Sequence, residues 1–395
     1  MQLKETDLKY VLHTYARNYV NFKRGENAVL YDENGKDYID FTSGIGVVSV
    51  GHANKRVSDA ICKQSQNITH ISNLYLIEPQ ALLAKRLVES SGYDMRCFFA
   101  NSGAEANEGA IKIARKYGEV DLEPKRYKII TLENSFHGRT ITALKATGQE
   151  KMHTYFGPYP DGFVYAKDID EISSLIDNKT IAVMIELIQG EGGVEPQDKQ
   201  KVQELSKLLK EKDILLIIDE VQTGIYRTGE LLASNLYEIE PDIVTLAKGL
   251  GGGVPIGAIM TNLKDIFKPS DHGSTFGGNY LCSVAANEVL DILKEYKNSG
   301  KLDEMYIYFE KQLKSFAKDF KKIVIKDVGI GFMRGLRIND SEILNSLVNS
   351  AFEEGVLVLK AGRNTLRFLP PLTITKEEMD RGFERLRGVF KKVVS

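Results

Sequence analysis

The chain contains no tryptophan and only three cysteines, Cys62, Cys97 and Cys282. An odd number at widely separated positions argues against a disulfide framework and against a cysteine-based zinc site. Ordinary buried thiols are expected. The six histidines are equally scattered, with no His-Glu-x-x-His or other pair at ligand spacing, so no metal centre is expected. Long hydrophobic runs are missing as well. Nowhere do roughly 18 apolar residues follow one another as a membrane span demands. The opening Met1-Gln-Leu-Lys-Glu-Thr-Asp7 also lacks the apolar core of a signal peptide. A soluble, cytoplasmic protein is the expectation. Charge of one sign is not in excess either: 52 basic and 54 acidic side chains leave a net charge of −2. Nucleic acid and anionic membranes therefore find no large field to exploit, and a small molecule or another protein chain is the expected partner.

What is present suggests two packed units, because 395 residues exceed the size at which a single core keeps growing. Ala28-Val-Leu-Tyr-Asp32 and Lys36-Asp-Tyr-Ile-Asp-Phe41 alternate apolar with polar around Asn34-Gly35, a pair that tolerates the positive φ angles of a tight hairpin. After Gly51 the texture changes to helices alternating with short apolar runs: Phe98-Phe-Ala100, Tyr127–Leu132, Ile181–Ile185, Ile214–Ile218 and Ile243–Ala247. Such runs suit strands buried on both faces of a mostly parallel sheet. Val202, Leu205, Leu208 and Leu209 fall on one side of a helix that would cover it. From about Leu281 onward long amphipathic patterns return, followed by Ile323-Val-Ile325, Val356-Leu-Val-Leu359 and a last helix ending near Val394. The expected fold class is α/β: a large domain over residues 51–280 with a mostly parallel sheet between helices. A smaller α+β domain would combine residues 1–50 with 281–395.

Three segments of the large unit carry chemistry. In Asp242–Gly253 an apolar strand delivers Lys248 and then gives way to glycines. Desolvation there lowers a lysine pKa and supplies the neutral amine that attacks an aldehyde, while glycines let a cofactor approach the backbone. The bland alternative is a lysine that reaches solvent at a strand end. Ile214–Ile218 delivers Asp219 to the end of another buried strand, where an unpaired carboxylate is costly. A protonated pyridine nitrogen would offset that cost; a structural ion pair or a bound Mg²⁺ would do so too. Asn101-Ser102-Gly103-Ala104-Glu105-Ala106-Asn107 follows a third run and opens a helix, an arrangement that serves either as an ordinary cap or as a phosphate cradle. No Gly-x-x-x-x-Gly-Lys-Ser/Thr occurs, which weakens a nucleotide-binding reading. Cradle, ring partner and amine thus come in order along one α/β unit, each after a strand.

The chain resembles the class III aminotransferases of fold type I, which use pyridoxal 5′-phosphate (PLP), and among them the acetylornithine aminotransferases. The resemblance is carried by residues 101–107, Phe136-His137-Gly-Arg139-Thr, Gln189-Gly-Glu191-Gly-Gly, Asp219-Glu-Val-Gln222-Thr-Gly, Ala247-Lys248, Ser274-Thr275-Phe-Gly-Gly-Asn279 and Arg367-Phe-Leu-Pro-Pro-Leu372. It implies that Lys248 forms the Schiff base with PLP and later shuttles the substrate proton. Asp219 would pair with the pyridinium nitrogen, Gln222 with the ring hydroxyl, and Phe136 would stack on the ring. His137 falls among the cofactor-binding residues without a chemical role. Ser102, Gly103 and Ala104 would hold the phosphate, and Thr275 would reach the phosphate of a neighbouring subunit in a homodimer with shared sites. On the substrate side the resemblance implies Tyr15, Arg139, Glu191, Ser274 and Arg367. Arg139, helped by Tyr15, would grip the α-carboxylate of an ω-amino donor while Glu191 neutralises Arg367. Glu191 would then release Arg367 when 2-oxoglutarate enters.

The implied reaction converts N²-acetyl-L-ornithine and 2-oxoglutarate to N-acetyl-L-glutamate 5-semialdehyde and L-glutamate, a step of arginine biosynthesis. Ornithine, succinylornithine, succinyl-diaminopimelate and 4-aminobutyrate remain open as donors, although ornithine-specific relatives tend to carry a tyrosine where Ile45 stands. A PLP-dependent racemase or decarboxylase of the same fold is the rival, and the paired Glu191 and Arg367 argue against it. Two departures from the family pattern are Leu187 in place of a proline and the pair Ile225-Tyr226 before Arg227.

Overall fold

The computed structural model describes residues 3–394. Its apolar runs become a seven-stranded sheet in the order Arg96–Ala100, Gly257–Thr261, Ile243–Leu246, Leu215–Asp219, Thr180–Ile185, Lys128–Leu132 and Phe163–Ala166. All neighbours run parallel except Gly257–Thr261, which is antiparallel to both of its partners. Because successive side chains of a strand point to opposite faces, Leu215 and Ile217 pack on one side and Leu216 and Ile218 on the other. The first face is covered by Ala106, Ala110, Ile113 and Ala114 of the helix Gly103–Val120. The second is covered by Val202, Leu205 and Leu209 of Lys199–Glu211, the face that the sequence spacing marks; Leu208 is only half-buried.

A second sheet is antiparallel throughout, in the order Val324–Ile330, Met333–Ile338, Thr365–Phe368 and Leu359–Ala361. A third joins Phe22–Glu26, Val29–Asp32 and Asp37–Asp40 to Val356–Leu357, which pairs parallel to Asp37–Asp40. Phe41, just past that sheet, is fully buried. Its ring centroid lies 5.3 to 6.4 Å from those of Phe383, Phe368 and Phe309, so the N-terminal segment packs on C-terminal helices and strands. No helix among the described residues is long and apolar enough to cross a membrane.

Several expectations need correction. The run Val356–Leu359 is not one strand: it breaks at Val358 and its two halves join different sheets. In the hairpin only Gly35 has a positive φ, +83°. The chain closes over Glu33, Asn34 and Gly35, with Gly35 N–H donating to Asp32 O and Asn34 N–H to Asp32 Oδ1, so the two-residue turn is replaced by a wider one. Cys62 is exposed rather than buried, whereas Cys97 is half-buried and Cys282 buried; all three are free thiols.

One backbone feature lies outside these patterns. Ser43, Gly44, Ile45 and Gly46 have φ of 43°, 66°, 66° and 76°, one full turn of left-handed helix. For residues with a Cβ this costs about 1–2 kcal/mol each, and Ser43 and Ile45 bear it.

Candidate active site

Five parallel strands of the large sheet end along the same edge, and each hands a polar residue to the same place, outside the carboxyl ends of the strands where open α/β sheets bind ligands. Arg96–Ala100 leads into Asn101–Ala104, Lys128–Leu132 into Phe136 and His137, and Thr180–Ile185 into Glu186. Leu215–Asp219 ends on Asp219, and Ile243–Leu246 leads to Lys248. Ser102, Gly103, Ala104, Phe136, His137, Arg139, Glu186, Asp219, Gln222 and Lys248 all line one cavity of ≈ 440 Å³.

Asp219 is buried and held by three donors: Val221 N–H (3.0 Å) to Oδ1, and Asn107 Nδ2 (2.8 Å) and His137 Nδ1 (2.7 Å) to Oδ2. A carboxylate only accepts, so His137 carries its proton on Nδ1. Asn107 is itself fixed, its Nδ2 also donating to His137 O (2.6 Å) and its Oδ1 accepting from Thr245 Oγ1 (2.7 Å). Glu186, buried beside this network, accepts from Phe136 N–H (2.9 Å) and Gly190 N–H (3.3 Å). Burial pushes its carboxyl up to about 7, with the proximity of His137 opposing and that of Asp219 adding.

Lys248 takes a left-handed φ of 41° and is half-buried against the cavity. Desolvation pulls its amine below the ordinary lysine value; Glu191, Asp219 and Glu186 oppose that shift and Arg367 adds to it. At the start of Gly103–Val120, Ser102 Oγ accepts from Glu105 N–H (3.2 Å), while Glu105 Oε2 reaches back to Asn101 N–H (2.6 Å). This box satisfies the helix start on either side of Gly103 and Ala104, whose N–H groups are among those a helix leaves without internal partners. At position 103 a Cβ would lie 2.6 Å from Val221 Cγ1, so a larger residue there would have to displace the Val221 side chain.

Beside the cavity, Arg367 is almost fully buried and its Nη1 donates to Glu191 Oε1 (2.6 Å) and to Gln222 Oε1 (3.4 Å). Arg139 is exposed at the mouth with its guanidinium 5.6 Å from the Phe136 ring centre. No carboxylate among the described residues forms an ion pair with it.

A family model described as aminotransferase class-III matches residues 11–390. The chain belongs to the class-III aminotransferases. It is 61% identical over 388 residues to the acetylornithine aminotransferase of Wolinella succinogenes, covering 98% of this chain and 99% of that one. Among solved structures, the ornithine aminotransferase of Toxoplasma gondii superposes with a TM-score of 0.92 at 34% identity, over 99% of this chain and 94% of that one, and was described with partial occupancy of PLP at its active site. The N-acetylornithine aminotransferase of Stenotrophomonas maltophilia gives 0.84 at 32% identity, over 99% of both chains. The cofactor of this aminotransferase is PLP, and the residues present fit it: a buried acid, a cavity amine of lowered pKa and a helix start built of small residues share one cavity.

Not every residue named from the sequence of this aminotransferase gathers there. Glu191 and Arg367 adjoin the cavity through Gln222 rather than lining it. Ser274 is tied to it only by Asn101 Nδ2 (3.1 Å), and Thr275 is exposed in a neighbouring groove with Ser274. Tyr15 is 75% exposed, stacks with Arg17 and does not line the cavity, so the described chain gives it no contact with Arg139. It precedes the first strand, and no sheet pairing holds it inward. Three residues of the network were not singled out in advance for a role. Asn107 closes the 101–107 motif on the helix Gly103–Val120, Glu186 follows an apolar run, and Thr245 is the one hydroxyl inside another run; a polar group at or within a buried strand is the signal that Glu186 and Thr245 offered, and Asn107 offered none.

Proposed function

We propose that this aminotransferase moves the terminal amino group of N²-acetyl-L-ornithine to 2-oxoglutarate, as a homodimer acting in arginine biosynthesis in the cytoplasm. The observation that carries the donor is the 61% identity to an acetylornithine aminotransferase along almost the whole of both chains. The pairing of a free Arg139 with an Arg367 capped by Glu191 supports a site that takes two differently arranged acids.

When bound, PLP supplies an electron-withdrawing ring that takes up the electron pair released at the substrate carbon. The chain provides the rest. Lys248, whose amine desolvation pulls below the ordinary lysine value, would take the proton of that carbon and deliver it on the far side of the transferred nitrogen. Asp219, oriented by Asn107 and His137, would pair with the ring nitrogen and favour its protonated form. Gln222 would meet the ring hydroxyl, Phe136 would cover one ring face, and Ser102, Gly103 and Ala104 would hold the phosphate. Arg139 binds the donor carboxylate in a planar two-point grip, which suits guanidinium. Glu191 withdraws from Arg367 when the keto acid arrives.

Shared sites need a second chain, with Thr275 reaching the partner's phosphate. Leu74, Tyr75 and Leu76 are 87%, 69% and 96% exposed, and Phe276 beside Thr275 is 59% exposed; consecutive large apolar residues left in water favour a partner surface of that kind. The division into residues 51–280 and a smaller unit from 1–50 with 281–395 belongs to the same proposal.

The test is the visible absorbance of the PLP-loaded protein after adding N-acetylornithine, ornithine or 4-aminobutyrate separately without keto acid. Bleaching fastest with N-acetylornithine and recovery with 2-oxoglutarate are expected. Faster bleaching by ornithine or 4-aminobutyrate would reassign the donor.

A further inference from the structure

The left-handed turn Ser43–Gly46 has identifiable supports. Within it Gly46 N–H donates to Thr42 O (2.9 Å) and Val47 N–H to Ser43 O (2.8 Å). Glycine accepts such angles freely, but Ser43 and the β-branched Ile45 do not. Strained backbone persists only where its surroundings over-determine it, and it clusters at functional sites. Here the surroundings begin with buried Asp40. Its Oδ1 accepts from Thr42 N–H (2.8 Å), Thr42 Oγ1 (2.6 Å) and Ser43 N–H (3.0 Å), and its Oδ2 from His52 Nε2 (2.8 Å).

From this clamped segment two buried hydroxyls reach different walls of the site. Ser43 Oγ donates to Leu369 O (2.6 Å), two residues past Arg367. Ser49 Oγ donates to Gly249 O (2.6 Å), the residue after Lys248. Main-chain bonds reinforce the first link, from Leu369 N–H to Phe41 O (2.7 Å) and from Leu372 N–H to Ser49 O (2.7 Å). Val47, between the two serines, lines the cavity.

We propose that Ser43 and Ser49 are positioning residues which, on the turn clamped by Asp40 and His52, set the spacing between Arg367 and Lys248 and so the fit of the keto acid. This rests on the roles proposed above for Arg367 and Lys248. The two serines act on opposite ends of the bound acid, so their loss has different kinetic consequences. Ser43→Ala loosens the arginine side: the KM for 2-oxoglutarate rises roughly five- to tenfold, in line with one lost buried hydrogen bond, while the donor half-reaction keeps its rate. Ser49→Ala loosens the lysine side, and the rates of both half-reactions fall by roughly the same factor with KM little changed.

The experiment is single-turnover kinetics of each half-reaction on the PLP-loaded protein, with the thermal midpoint measured alongside. Ser49→Thr, which keeps the hydroxyl outside the left-handed turn, is expected to recover much of the rate loss. Ser43→Gly removes hydroxyl and strain together; it is expected to share the KM of Ser43→Ala at a higher thermal midpoint. The proposal is overturned if both alanine variants lose stability alone with wild-type kinetics per active site, or if both change the same parameter in the same way. Absence of transamination in the unmutated protein would sink the underlying roles instead.

Discussion

Two carboxylates serve the same site and are held in opposite ways. Asp219 ends a central strand, is buried, and takes three hydrogen bonds from Val221, Asn107 and His137. Glu191 sits among Gly190, Gly192 and Gly193, with φ of 117° at Gly193 and 55° at Val194. Its side chain is 29% exposed and meets Arg367 through one 2.6 Å contact. The first arrangement cannot move without stranding several buried groups, which is costly. The second can open by breaking one ion pair whose carboxylate is partly exposed, provided that an incoming acid takes its place on the buried Arg367. On the roles proposed above, the group that would do the same thing in both half-reactions is built into the sheet, and the group that would respond to the substrate is hung on a glycine-rich loop.

The sharpest way to break that contrast is to strike its fixed end. Lys248→Ala is expected to lower kcat on the order of 10⁴-fold, the upper range for a lost proton-transfer group. Asp219→Asn, which leaves the shape and removes the charge, should cost roughly 10²–10³-fold. Steady-state turnover with PLP in excess measures both, and wild-type turnover in Asp219→Asn would mean that the buried acid does no chemistry. At the movable end a smaller effect is expected. Glu191→Ala frees Arg367 permanently, so the preference for N-acetylornithine over glutamate as donor, taken as the ratio of kcat/KM values, should shrink by about tenfold, or 1.4 kcal/mol. An unchanged ratio would show that Glu191 is as fixed as Asp219.

The smallest effect concerns stability. Glu186 titrates at about 7 in the fold against an ordinary 4.5, so between those values the native chain holds a proton that the unfolded chain has released. Stability therefore falls as pH rises through that window. Glu186→Gln removes this contribution, and a shallower decline of the thermal midpoint from pH 5 to 7 is expected; some slope remains from Glu220, which burial also shifts upward. An identical slope in the variant would place Glu186 outside the titrating network.

The sequence made the central sheet readable because strands buried on both faces show themselves as apolar runs. Where that physics is diluted, the reading fails. Gly257–Thr261 emerges from a glycine-rich stretch and starts with two small residues, and Met333–Ile338 carries the buried Arg334 and Arg337, whose charges interrupt the apolar pattern. In the site, Lys248, Asp219 and Ser102–Ala104 could be named because each follows a strand end. Asn107 acts only on what the fold brings to it, Asp219 and His137, with Thr245 fixing it from behind, and no local pattern announces that. The same holds for Ile225 and Tyr226, whose positive φ values of 57° and 63° accompany a hydroxyl bond from Tyr306 to Tyr226 O.

The short pairing of Val356–Leu357 with Asp37–Asp40 bears on the order in which the molecule comes into being. A nascent chain makes its N-terminal hairpin first, yet the open edge of that hairpin, with Ile39 and Phe41 beside it, finds its neighbour only when almost all the rest has been synthesised. Until then an unpaired strand edge and an apolar flank are exposed, the combination most prone to wrong association. The break at Val358, which sends the next residues to another sheet, means that one late segment closes both small sheets together.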